Sequence, residues 1–139
     1  MKMPPVIPGH LFAPCGMNCM VCYVHLKVKK PCNGCLGDDL HKPERCKTCQ
    51  IKNCAHQKGH AYCFECADFP CKPIKNLEKS YNQRYNVSLV ENSIQVKMKG
   101  VAVFQVQELA KWTCKKCSGV ISLHDQQCSE CHQNDAAGR

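Results

Sequence analysis

The sequence predicts a small metal-stabilised α+β protein in three segments: a Cys-rich N-terminal multi-zinc module (1–72), a short helical middle (73–112) and a C-terminal zinc ribbon (113–139). Three observations predict it. Fifteen of the 139 residues are Cys, a density above the ~8–10% that marks crosslink-dependent scaffolds. These Cys occupy positions 15 to 71, vanish from 72 to 113 and return from 114 to 131. The Cys-free stretch carries apolar residues at helical spacing. Segments below ~70–80 residues rarely hold together on core packing alone, so cysteine chemistry must supply the rest.

Metal is favoured over disulfide. The opening MKMPPVIPGHLFAPCG lacks the apolar run of ~7–15 residues that a secretory signal needs. No stretch approaches the ~18 apolar residues of a membrane span, so a cytoplasmic protein without a membrane partner is expected. Thiols stay reduced there, and an odd number of Cys cannot all pair within one chain. The formal charge of +8 resembles a nucleic-acid signature until the metals are counted. Fifteen thiolates and about four zinc ions bring the balance close to +1, so the Lys excess offsets thiolate charge. Iron–sulfur clusters would give the same balance and stand as the alternative cofactor.

The N-terminal module begins with Cys15-Gly16-Met17-Asn18-Cys19-Met20-Val21-Cys22. This C-x3-C-x2-C spacing also serves radical S-adenosylmethionine enzymes, but their barrel cannot be built in a chain of this length. Cys32-Asn33-Gly34-Cys35 is a metal knuckle with a turn glycine. Cys46-x2-Cys49-x4-Cys54 recurs as Cys63-x2-Cys66-x4-Cys71, displaced by 17 residues, which predicts two similar knuckle-and-arm units. Eleven N-terminal Cys are one short of the number that closes three tetrahedral sites. His56 is the candidate twelfth ligand, with His25 and His60 as alternatives. If none ligates, an open coordination position among Cys15, Cys54 and Cys71 becomes a place for reactivity.

In the middle segment, Ile74, Leu77, Tyr81 and Tyr85 share one helix face, and Pro73 suits the first turn. Ser88-Leu89-Val90-Glu91 has capping-box form, with Leu89, Val90, Ile94 and Met98 following and Gly100 as terminator. Val101 to Trp112 reads as a third helix with Val101, Phe104, Leu109 and Trp112 on its apolar face.

The strongest motif closes the chain. Cys114-x2-Cys117 and Cys128-x2-Cys131 are paired knuckles, and Val120–Leu123 with a turn at Asp125-Gln126-Gln127 can form the hairpin that joins them. Four Cys close the site, leaving His124 and His132 unneeded. Gly119 supplies a permissive backbone.

No catalytic constellation, phosphate-cradling loop or cofactor fingerprint is present in the sequence. The expected function is a zinc-binding interaction, adaptor or regulatory protein with structural metals and no enzyme activity, working with protein partners. An iron–sulfur electron-transfer or redox-sensing protein is one rival. A small nucleic-acid-binding zinc protein is the other, using Lys27 to Lys30, Lys111 to Lys116 and Trp112 as a base-stacking ring.

Together the clusters Cys15-Gly16-Met17-Asn18-Cys19-x2-Cys22, Cys32-x-Gly34-Cys35, Cys46-x2-Cys49-x4-Cys54 and Cys63-x-Glu65-Cys66-x2-Phe69-Pro70-Cys71 resemble the prokaryotic family called domain of unknown function 3795. The likeness continues through Arg84-Tyr85, Ser88, Glu91-Asn92, Gly100 and the terminal ribbon with His124. Ser93-Ile94, where the family pattern has Leu, and Ser118, where it has Gly, depart from it. The resemblance implies a cytoplasmic zinc-binding protein and brings no established activity.

Overall fold

The computed structural model describes residues 1–134. In chain order the helices are α1 (Glu44–Lys47), α2 (Gln50–Gln57), α3 (Lys72–Tyr85), α4 (Leu89–Lys99) and α5 (Val101–Trp112), followed by strands β1 (Ile121–Ser122) and β2 (Gln127–Cys128). Short 3-10 turns at Gly9–Leu11, Cys19–Val21 and Cys63–Glu65 punctuate the N-terminal part. None of the helices among the described residues is long and apolar enough to cross a membrane.

The three helices of the middle segment form where their sequence signals place them. Pro73 lies in the first turn of α3, where a missing N–H costs nothing, and Asn86 in the left-handed region ends it. The Ser88 hydroxyl accepts a hydrogen bond from the Glu91 amide at 3.0 Å, capping α4. Gly100, at φ 86°, both ends α4 and opens α5.

The buried faces differ from those expected. On α4, Leu89, Ser93 and Val96 are buried, whereas Ile94 is exposed and Met98 is 74% exposed. The reason lies outside the helix, in the first cysteine turn. Gly16, at φ +100°, lies against the Leu89 carbonyl, and a Cβ there would sit 2.7 Å from the Ser93 hydroxyl oxygen. The Asn92 side-chain amide donates to the Gly16 carbonyl at 3.1 Å. A small residue at 93 lets the Cys15–Cys19 turn press onto the helix, which rotates Ile94 and Met98 outward.

α5 buries Phe104, Gln105, Glu108 and Trp112. Trp112 is 2% exposed, on the core face read for it, so the ring is not open to the base stacking that the nucleic-acid alternative required. Glu108 Oε1 accepts from the Asn18 side chain at 3.3 Å, and Asn18 Oδ1 in turn accepts from the Met20 amide at 3.1 Å. Burial raises the Glu108 carboxyl above its ordinary value, against the opposing pull of Asn18, Lys111 and Trp112. Between the ordinary and the raised value the folded state holds more protons than the unfolded state, so this group's contribution to stability falls as pH rises. Glu108→Gln keeps the acceptor and removes the buried charge. Its denaturant midpoint is expected to exceed wild type at neutral pH, the gap closing as pH falls below the carboxylate range; a gap independent of pH would refute this.

The ribbon hairpin pairs β1 with β2 antiparallel, Ile121 opposite Cys128 and Ser122 opposite Gln127. The chain's first residues run along it. The Val120 amide donates to the Met1 carbonyl at 2.7 Å and the Met3 amide to the Ser118 carbonyl at 3.0 Å. The N-terminal ammonium pairs with Glu130 at 2.7 Å, and the Leu123 amide donates to the Val21 carbonyl at 3.0 Å. Val120, Ile121 and Leu123 therefore share one apolar cluster with Ile7, Leu11, Met20, Val21, Leu89 and Trp112. A second cluster joins Phe12, Val96 and Phe104, and a third joins Ala55, Cys63 and Ile74.

Candidate metal centres

All fifteen cysteines are free thiols, and the fold sorts them into three groups. In the ribbon, the Sγ atoms of Cys114, Cys117, Cys128 and Cys131 all lie within 4.8 Å of one another. Cys114 and Cys131 are 3.8 Å apart and Cys117 and Cys128 3.4 Å apart. Four thiolates at ~2.3 Å from one tetrahedral zinc would stand about 3.8 Å apart, so the site can receive one ion with little adjustment.

Local backbone explains the convergence. The Ser118 amide donates to the Cys114 carbonyl at 2.9 Å and the His132 amide to the Cys128 carbonyl at 3.0 Å. Ser118 and His132 take the same left-handed turn, at φ 65° and 60°, so the two knuckles are built alike. A Cβ at Gly119 would stand 2.7 Å from Cys128 Sγ, which reserves that position for glycine. The Gly119 amide, hydrogen-bonded to Cys117, leads the effects that hold this thiol down to about 7, while, against the pull of the Gln133 amide, burial and hydrogen bonds to the other three thiols push Cys131 up to about 11.

The N-terminal thiols line two cavities. The larger, about 260 Å³, is walled by Cys15, Cys19, Cys22, Cys32, Cys35, Cys46 and Cys49. The Cys19 thiol hydrogen-bonds Cys35 and, with Lys42 and Lys52 nearby, holds Cys35 down to about 7. Burial pushes Cys22 up to about 11 and Cys15 higher still. Lys42 donates to the Cys35 and Gly37 carbonyls at 3.1 and 3.2 Å, and Lys52 to the Cys46 carbonyl at 3.2 Å. The second cavity, about 180 Å³, is lined by Cys54, Cys63, Cys66 and Cys71 with Lys58, His60 and Asp68. Lys58 Nζ lies 3.7 Å from Cys66 Sγ.

This sorting corrects the expected pair of similar units. Cys46 and Cys49 face the larger cavity while Cys54, carried onward by α2, reaches the second. The matching arm of the other unit is a loop, with Cys71 as the N-cap of α3. Equal spacing in sequence thus leads to different backbone and different partners. His56 lies exposed on α2 and lines neither cavity; His60 reaches the second. His25 lines the larger one, with Nδ1 2.6 Å from the Cys32 carbonyl.

Sequence reasoning missed what surrounds the larger cavity. His124 projects from the ribbon hairpin and is ringed by Tyr23, Tyr81 and Tyr85, with centroids 5.0, 5.6 and 5.0 Å away. The Tyr23 amide donates to Nδ1 at 3.4 Å, and Nε2 is 3.0 Å from the Tyr81 hydroxyl. Both ring nitrogens are occupied, so His124 fastens the ribbon to the N-terminal cysteines. Tyr81 and Tyr85, four apart on α3, were the available signal.

The fold and these centres define a cysteine-rich protein whose thiol groups can hold metal ions. Residues 11–76 match the family model described as protein of unknown function (DUF3795). The resemblance read from the order of the Cys clusters is thereby shown over these residues, which include all eleven N-terminal Cys; the ribbon lies beyond them. No curated protein matches the chain, and no solved structure does.

Proposed function

We propose that the chain is a cytoplasmic zinc-binding adaptor whose metals are structural and whose working surface is offered to a protein partner. The ribbon carries this reading: a closed set of four thiols leaves a bound ion no open position, and its hairpin is stitched to both the N-terminus and the first cysteine turn. Metal bound there organises the rest of the chain.

A groove of about 340 Å³ between residues 5–9 and α5 supports the choice of a protein partner. Val106 is exposed on it. The groove's lining is apolar apart from the buried Gln105 and has no Lys or Arg for phosphate, which suits an apolar protein segment rather than a nucleic acid.

Full-length protein purified without oxygen is expected to carry about four zinc ions and no visible absorption. A photo-crosslinking residue at Val106 should yield one discrete protein adduct in cells, absent when the same residue replaces exposed Lys29. Iron with acid-labile sulfide would overturn the zinc assignment, and identical adduct patterns at both positions would overturn the adaptor surface.

A further inference from the structure

We propose that the seven thiols around the larger cavity hold two tetrahedral divalent ions that share one bridging thiolate, Cys35. Cys15, Cys19 and Cys22 complete the first ion; Cys32, Cys46 and Cys49 complete the second. The inference rests on the reading of the chain as a zinc protein and deepens it by stating how the odd thiol is used.

The geometry of the two kinds of site differs within one molecule. The ribbon's four thiols converge on a point, all within 4.8 Å, and among the described residues no other group of three or more ligands does so. The seven thiols instead surround about 260 Å³, more than one ion needs and too wide for one ion to reach them all. Two tetrahedra need eight ligand positions, and seven thiols supply eight when one of them bridges. The second cavity and the ribbon each have four. All fifteen Cys are then used by four ions, with neither a histidine nor an open position required.

Cys35 is the thiol placed to bridge. The knuckles Cys32-x2-Cys35 and Cys46-x2-Cys49 can close the second ion between them, which leaves Cys15, Cys19 and Cys22 one ligand short. A Cβ at Gly34, the residue before Cys35, would stand 3.6 Å from Cys19 Cβ and 4.0 Å from Cys19 Sγ, so the Cys32–Cys35 knuckle lies against the thiols of the first ion, with Cys35 the member next to that contact.

An independent observation points to an anionic centre here. Seven thiolates against two divalent ions leave a charge of about −3, which a buried site must offset. Lys42 and Lys52, 4% and 9% exposed, reach the carbonyls of Cys35 and Cys46. Lys42 has Asp39 at 3.1 Å, but no carboxylate pairs with Lys52 among the described residues, and none lines the cavity. A buried ammonium with no carboxylate partner is accounted for by thiolate charge.

The test replaces zinc in the full-length protein with an NMR-active cadmium isotope. Four resonances are expected, two of them split by coupling to each other through the shared sulfur and two unsplit. Cys35→Ser should abolish the splitting and lower the metal count by at least one, while the two unsplit resonances persist. Should Cys35→Ser not fold, the splitting in the unmodified protein decides whether two ions share a thiolate, and coupling of both split resonances to the Cys35 β-protons identifies that thiolate; coupling of both to another Cys would overturn the assignment. Four unsplit resonances, or only three bound ions, would overturn the bridge while leaving the structural-zinc reading intact. Failure of the ribbon and second-cavity thiols to bind cadmium would overturn both.

Discussion

Removal of metal by a strong chelator is expected to unfold residues 15–71 and the ribbon, and to take the packing of α3, α4 and α5 with them. Structural zinc contributes roughly 10–16 kcal/mol of apparent binding energy in small zinc-finger peptides, and net domain stability is only ~5–15 kcal/mol, so its loss exceeds what the apolar clusters can offset. The shared core makes the loss cooperative. Val120, Ile121 and Leu123 of the ribbon and Leu89 of α4 pack in one cluster with residues of the first cysteine turn, and Gly16 of that turn sits against α4. Amide chemical shifts followed during chelation should therefore collapse together in residues 15–71 and 114–131, and re-addition of zinc should restore them. Native-like shifts in residues 15–71 in metal-free protein would contradict the prediction.

The second large effect belongs to the apolar cluster that, among the described residues, contains no thiol. Phe12 is fully buried, with its ring edge-on to Tyr62 at 5.6 Å and to Phe104 at 5.3 Å. It joins the N-terminal turn to α4 and α5 through Val96 and Phe104. Phe12→Ala removes the ring and leaves a cavity in a site hemmed by helices, a change that costs about 3–5 kcal/mol. Each lost aromatic pair can add ~0.5–1.5 kcal/mol. Measured in excess zinc, so that metal loss does not limit stability, the urea midpoint should fall sharply, while Phe12→Leu should recover much of it. A shift below ~1 kcal/mol would show that this cluster packs too loosely for the substitution to be felt.

How much was legible in the sequence depended on whether the signal was local. The convergence of Cys114, Cys117, Cys128 and Cys131 and the presence of a hairpin between the knuckles were readable because they follow from backbone conformation within a few residues, though the turn falls at residues 123–126 and takes in Leu123, while Gln127 pairs in β2. The caps at Pro73, Ser88 and Gly100 were readable for the same reason. The inward face of α4 was not, because Ile94 and Met98 are more apolar than Ser93, yet only a small side chain admits the Gly16 turn. Likewise α5 buries Gln105 and Glu108, and Glu108 is held there by Asn18, ninety residues earlier.

The sequence by itself determined the density and spacing of cysteine, the helical character of residues 72–112 and the pairing of the four C-terminal thiols, since composition and short-range spacing carry that information. Only the tertiary structure decided which thiols stand together. A C-x2-C pair states that two sulfurs can face one ion, not which distant sulfurs complete its shell. Here α2 carries Cys54 away from Cys46 and Cys49 to meet Cys63, Cys66 and Cys71, leaving seven thiols around one cavity and four around the other. That division follows from where helices and turns send the chain, and it leaves exposed His56 apart from both cavities.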